Sequence, residues 1–292
     1  MKVHYFLLAL VAGETLTSLG AQESEADIEA WKASVLSQLD RRTGTIQLEG
    51  GVAELQLSDD FYFLDSEDSR LVLEEVWGNP PGGETMGMIF PAKYTPFDDA
   101  SWAVTVDYVE DGYVKDSEAK KINYDTLLKD MQRDVREESR YRQEQGYESL
   151  ELIGWAAEPY YDESAHKLHW AKELNFGEAD YNTLNYNIRA LGRKGYLVLN
   201  FIAGMSQLEE IDDALPAVLA AAEFREGYRY EEFDPQNDEI AAYGIGALVA
   251  GKAMAKLGLF AKIALALKKF WIVGLAVLVG IGKRIRGNRS EA

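Results

Sequence analysis

From Ile240 to Arg289 the chain is a Gly- and Ala-rich apolar run, interrupted by Lys268-Lys269, carried on without a charge from Phe270 to Ile281, and closed by Lys283, Arg284, Arg286 and Arg289. A helix that crosses hydrocarbon needs about 20 mostly apolar residues, and Ile263 to Gly282 supplies them if the two lysines snorkel to the interface. Such a stretch constrains all that precedes it, because the remaining chain becomes cargo on a membrane anchor. Just upstream, Ile240 to Leu267 carries Lys252, Lys256 and Lys262. At about 100° per residue these fall within roughly a third of a helix circumference, which predicts an amphipathic helix lying in the interface. Its alternative, the first arm of a transmembrane hairpin, would return the C-terminal arginines to the periplasm against the positive-inside bias. Ala247, Gly251 and Ala255 recur at four-residue spacing, a seam of small residues that predicts self-association.

At the other end, Met1-Lys2, the short apolar core Tyr5 to Gly13 and the small residues Ser18 to Ala21 read as a secretory signal. The expected organisation is a signal peptide over residues 1–21 and a periplasmic domain over 22–234. Residues 235–292 then form a hinge, an amphipathic helix and a transmembrane anchor with a basic tail. This places the chain in the bacterial inner membrane with its C-terminus cytoplasmic. The lipid bilayer is the first expected partner, reached through the anchor. Charge is divided along the same boundary: there are 9 Lys/Arg and 1 Asp/Glu from Ile240 onward, against 21 and 48 before it. A domain so acidic repels phosphate backbones, which excludes nucleic acid as a natural partner. Cysteine is absent, so the fold has no disulfide and no thiolate chemistry.

Within the domain the apolar period alternates between helix and strand. Ile28, Trp31, Val35 and Leu39 predict a helix over Ser24 to Leu39. Thr45 to Glu49 and Val52 to Leu57 alternate about Gly50-Gly51, a hairpin signal. Asp65-Ser66 caps a short helix to about Val76, and Trp77 to Gly83 is a Pro/Gly-rich loop. Met86 to Phe90 and Trp102 to Val109 are strands. Asn123 caps a helix running to Gln145, which Gly146 stops. Tyr147 to Ala157, His166 to Phe176, Leu184 to Leu191 and Tyr196 to Ala203 form an antiparallel meander. Ser206 with Glu209 suggests a capping box for a helix to Ala222, bent at Pro216. Phe224 to Phe233 closes the domain, and Asp234 to Asp238 is the hinge. The sum is an α+β fold, a largely antiparallel sheet with helices packed on it.

Chemistry is thinner. His166 and His169 are the only clustered imidazoles of the mature chain, but three residues apart on a strand they point to opposite faces and do not share a metal. Neither a nucleophile elbow nor a phosphate-binding glycine loop occurs. Trp77, Trp102, Trp155, Tyr160, Tyr161, Trp170, Tyr181 and Tyr186 are candidates for a ligand groove, although core and cross-strand packing accounts for most aromatic residues in a sheet.

Several segments together resemble one family: Trp77-Gly78-Asn79-Pro80-Pro81, Gly112-Tyr113-Val114-Lys115-Asp116, Gly154-Trp155-Ala156 with Pro159-Tyr160-Tyr161-Asp162, Leu184 to Arg189 with Leu191-Gly192-Arg193, and Ala242-Tyr243-Gly244-Ile245-Gly246 running on to Gly251. They are similar, in order, to the bacterial membrane-anchored proteins grouped as domain of unknown function 2167. The resemblance implies an exported, C-terminally anchored envelope protein. It brings no catalytic, cofactor-binding or metal-binding residue to carry over. The ending, a strand, then the helix opened by Gln207-Leu208-Glu209-Glu210, then Phe224 and its strand, is also similar to small photosystem-subunit-like α/β/α sandwich modules, which implies binding or assembly. The expected function is an accessory binding or assembly module of the envelope. The alternatives are a membrane-tethered hydrolase with carboxylates assembled by the fold, and an oligomeric membrane scaffold.

Overall fold

A computed structural model describes residues 25–79, 81, 85–177 and 179–250. The expected signal peptide of residues 1–21, the expected anchor over Ile263 to Gly282, and Gly251 and Ala255 of the expected small-residue seam lie outside the described residues. Among the described residues no helix is long and apolar enough to cross a membrane.

The chain begins with helix α1 (Glu25–Gln38), of whose apolar stripe only Val35 and the following Leu39 are buried, while Ile28 and Trp31 stay exposed. The expected hairpin follows as β1 (Gly44–Gln47) and β2 (Ala53–Leu57). In its turn the Gly51 amide donates to the Leu48 carbonyl, and Gly50 adopts φ 77° and ψ −6°. That positive φ is what a type II turn demands at its third residue. Next comes β3 (Phe61–Asp65), whose last residue caps α2 (Ser66–Leu71) by accepting from the amides of Glu67 and Asp68. The helix widens into a π-turn over Val72–Val76 before the loop. Strands β4 (Gly87–Pro91) and β5 (Ala103–Val109) lead to α3 (Tyr124–Glu144), where Asn123 Oδ1 accepts from Thr126 N at 2.9 Å. The meander is β6 (Leu150–Asp162), β7 (Lys167–Phe176), β8 (Thr183–Leu191) and β9 (Tyr196–Gly204). Helix α4 (Leu208–Ala221) and β10 (Ala222–Phe224) follow.

The Ser206 and Glu209 capping box does not form. A 3-10 turn over Met205–Gln207 opens α4 instead, with Gln207 Oε1 accepting from the Gly204 amide at 2.8 Å and Nε2 donating to the Ala100 carbonyl at 2.7 Å. Glutamine has reach enough to do both, and this ties the helix start to the loop before β5. Pro216 lies inside α4, which continues through it.

Seven strands form one antiparallel sheet in the order β3-β4-β5-β9-β8-β7-β6, and β1-β2-β10 form a second. Strand alternation gives the large sheet two distinct faces. On one, Phe63, Ile89, Val104, Ile188, Leu199 and Phe201 pack against the small sheet and against Ile211 and Val218 of α4. On the other, α2 covers Leu64, Met88 and Ala103 near one edge, and α3 covers Leu152, Leu168 and Leu174 near the other.

Packing continues beyond residue 234, where the sequence places the end of the domain. Arg193 holds Asp238 with two hydrogen bonds, at 2.6 and 3.0 Å. The Tyr113 amide donates to the Glu239 carbonyl at 2.8 Å, and the Ala241 amide donates to the Tyr113 carbonyl at 2.9 Å. Ile245, Leu248 and Val249 are buried beside Val114 and Tyr230. Residues Ile240 to Ile245 are therefore docked, non-helical chain that bends at Ala242 and Tyr243, and helix begins only with the short α5 (Gly246–Ala250). Apolar composition has the same look whether a residue is destined for lipid or for a core. Here the unpaired backbone edge at Tyr113 and an uncovered apolar patch claim this segment.

Candidate functional site

Strand register puts a band of polar side chains across the helix-covered face. Thr105, Asn200, Asn187 and Trp170 stand opposite one another on β5, β9, β8 and β7, flanked by Asp107 with Arg189 on one side and Asn185 with Lys172 on the other. Asn187 Nδ2 donates to the side-chain oxygen of Asn185 at 3.0 Å, Arg189 to Asn200 Oδ1 at 3.1 Å, and Asn200 Nδ2 to Thr105 Oγ1 at 3.4 Å. Arg189 also lies over the Trp170 ring, 4.9 Å from its centre. Burial, and then the charge of Arg189, pushes Lys172 down to about 7. Burial pushes Asp107 up to about 6, against the hydrogen bonds it receives from Thr85 and the Met86 amide. The band holds strands contributed by the two ends of the domain in one register, the use buried polar networks serve best.

The opposite face carries rings. Tyr160 stacks on His169 at 4.6 Å, His169 meets Tyr186 edge-on at 6.5 Å, and the series continues through Phe201 and Trp102 to Phe61. Trp77, Trp102, Trp170 and Tyr186 are all buried, so packing accounts for them, whereas Tyr160 and Tyr181 are exposed.

The two histidines part company here. His169 is only 2% exposed and its Nδ1 has no hydrogen-bond partner. Burial, with the nearby Lys167 charge, pushes its pKa down to about 4. The folded value lies below the ordinary 6.5, so this group's contribution to stability is present above pH 6.5 and lost as pH falls through about 4. Asp107 acts in the opposite sense, its contribution fading as pH rises through about 6. His169→Phe keeps a ring against Tyr160 and removes the titration. Unfolding free energies from urea titrations between pH 7 and 4 should then fall less steeply in the variant than in the parent, by up to about 1.4 kcal/mol per pH unit. Parallel curves would mean that burial leaves the His169 pKa near its unfolded value.

His166 precedes β7 rather than lying in it, so strand alternation does not govern its direction. It sits in the β6–β7 turn with φ 51°, a left-handed conformation that few non-glycine residues adopt. Asp162 shapes that turn by accepting from the amides of Ser164 and Ala165. The imidazole packs on Tyr230, 4.2 Å between ring centres, with Nδ1 3.2 Å from the Tyr161 hydroxyl. Tyr161 in turn donates to Asp116 Oδ2 at 2.8 Å, and burial and that carboxylate both raise its pKa, keeping the phenol protonated. Tyr230 is fixed by donating to the Val114 carbonyl at 3.1 Å and by stacking on Tyr113.

Beside His166 opens a cleft of about 370 Å³, lined among others by Lys167, Glu223, Phe224, Arg229, Tyr230 and Glu231. The Lys167 ammonium donates to the Leu219 carbonyl at 3.1 Å. Arg229, Glu223 and Glu231 are exposed and form no ion pair among the described residues. A second opening of similar size lies between β1 and the start of α2, lined by Arg42, Leu48, Asp65 and Glu67. Among the described residues no three of His, Asp or Glu are grouped as metal ligands would be. Sequence reasoning names His166, and Tyr161 among the aromatic candidates, but does not join them to each other or to Asp116 and Tyr230. Asp116 and Tyr161 both lie in segments that carry the family resemblance, which is the signal that could have singled them out.

No curated protein matches the chain. Among solved structures it is similar to the solution structure of cyanobacterial PsbP (CyanoP) from Synechocystis sp. PCC 6803, at 11% identity and a TM-score of 0.35 over 72% of this chain and 99% of that one. It is also similar to a point mutant of the protein Mog1, at 10% identity and a TM-score of 0.31 over 63% of this chain and 96% of that one. At such values neither likeness transfers a role. The family model described as protein of unknown function DUF2167 matches residues 40–279, which span the sheet, the His166 turn and the docked C-terminal segment, and the chain belongs to that family.

Proposed function

We infer that this chain is a binding module of the bacterial envelope, tethered by Ile263 to Gly282 with its domain in the periplasm and its C-terminus in the cytoplasm. The observation that supports a binding role is the cleft beside the β6–β7 turn, where unpaired charges of both signs meet an aromatic wall in a space of small-molecule size. Ordered ring stacking behind that wall holds it in place without a ligand. Assembly with other copies through Ala247, Gly251 and Ala255 belongs to the same reading.

The cleft is tested with the full chain in mild detergent and the low-molecular-mass fraction of a periplasmic extract. A ligand at about 100 times its dissociation constant adds about 2.7 kcal/mol to stability, which a thermal melt resolves easily. The expected result is an upward shift of the melting temperature that disappears in Arg229→Gln. No shift in the parent, or an equal shift in both, overturns the cleft as the binding site.

A further inference from the structure

We propose that this cleft takes a zwitterion of amino-acid or dipeptide size, and that the Nε2 atom of His166 is its hydrogen-bond acceptor. This rests on the cleft being the binding site.

The tautomer follows from the partners. A phenol has one proton, and Tyr161 gives it to Asp116, because an ionised carboxylate can only accept. The same phenol oxygen therefore faces His166 Nδ1 as an acceptor, and in the neutral ring Nδ1 carries the hydrogen. Asp116 Oδ2 lies 3.8 Å from the same nitrogen and favours that arrangement. Nε2 is left with its lone pair, on a ring that lines the cleft. The turn also places this ring at a backbone angle that costs a non-glycine residue energy, a cost suited to positioning a functional group.

The charges select the rest of the ligand. A simple anion approaching Arg229 would be repelled by Glu223 and Glu231, and a simple cation approaching the two glutamates would be repelled by Arg229 and Lys167. A molecule with a carboxylate at one end and an ammonium at the other satisfies both groups. Arg229 offers a planar fork to the carboxylate, and the glutamates and Nε2 accept from the ammonium.

Two measurements test this. In the first, nitrogen NMR of the histidine-labelled full chain reads the tautomer directly: protonated Nδ1 and unprotonated Nε2 are expected for His166, assigned by its loss in His166→Asn. An Nε2–H tautomer overturns the acceptor role. In the second, calorimetry compares L-alanyl-L-alanine with its N-acetyl and C-terminal amide derivatives. The zwitterion should bind, and loss of either charge should weaken it at least tenfold. His166→Asn relieves the left-handed backbone while removing Nε2, so it should lose binding, and His166→Gln, which restores an acceptor near that place, should recover part of it. Equal binding of all three probes, no binding of the zwitterion, or full binding by His166→Asn each overturns the proposal. If periplasmic extract still stabilises the parent but not Arg229→Gln, the cleft survives and only the ligand class and acceptor role fall.

Discussion

Gly195→Ala is expected to destabilise the domain by about 3 kcal/mol or more, at or above the upper end for a forced overpacking. A Cβ at this position would stand 1.9 Å from the Val109 carbonyl oxygen and 2.9 Å from its carbon. Both are backbone atoms of a strand end that is held by pairing, with Val109 opposite Tyr196, so no side chain can rotate away to make room. The turn itself is closed by the Gly192 amide donating to the Gly195 carbonyl at 2.8 Å. Relief requires β5 and β9 to separate at one end, and these two strands join the N-terminal strands to the meander. Gly154→Ala is the control, since a Cβ there meets nothing within 4 Å and its φ lies outside the left-handed region. Urea denaturation of both should show a large fall in midpoint for Gly195 and almost none for Gly154. Comparable losses would mean that the glycine-to-alanine change, and not the contact with Val109, sets the effect.

Trp102→Ala should cost about 3–5 kcal/mol, the range for deleting a buried large aromatic ring. Trp102 is 1% exposed, between Phe61 at 6.2 Å and Phe201 at 5.9 Å, and its indole N–H donates to Glu210 Oε1 at 2.8 Å. It joins the large sheet to the first turn of α4. Trp102→Phe keeps ring packing and loses the hydrogen bond, so it should cost less, about 1–2 kcal/mol. The order of the two variants in a chemical denaturation series is the check. If Phe and Ala were equally damaging, the tie to Glu210 would matter more than the packing.

Local patterning made most elements legible in the sequence. Alternation across Tyr147 to Ala203 gives the meander, Gly50-Gly51 gives the hairpin, and Asn123 and Gly146 bracket α3, because each depends on neighbours in sequence. Strand order was not legible. That Val104 lies opposite Phe201, and that Leu55 lies opposite Ala222, depends on shape complementarity between distant segments, which leaves no periodic trace. The candidate site was half legible for the same reason. His166 attracts notice as a rare residue near acids, but Asp116 and Tyr230 reach it only through the fold. Its turn conformation leaves no trace either, since alternation reads His166 as the first residue of a strand. The segment after Ile240 illustrates a different limit: hydrophobicity reports that residues avoid water and says nothing of which apolar phase receives them.

The pairing of β2 with β10 has a consequence in time. A polypeptide emerges from its N-terminus, so the hairpin of residues 44–57 exists long before Ala222 to Phe224, the strand that completes its sheet. During that interval the outer edge of β2 has no partner, and its apolar side lacks the cover that Ile211 and Val218 of α4 later supply. The same delay applies to Val114, which waits for Ile245 and Leu248. Early segments of this chain therefore cannot settle one at a time as synthesis proceeds; the domain closes late and nearly all at once, and a chain interrupted before Phe224 is left as a sticky fragment instead of a smaller folded protein.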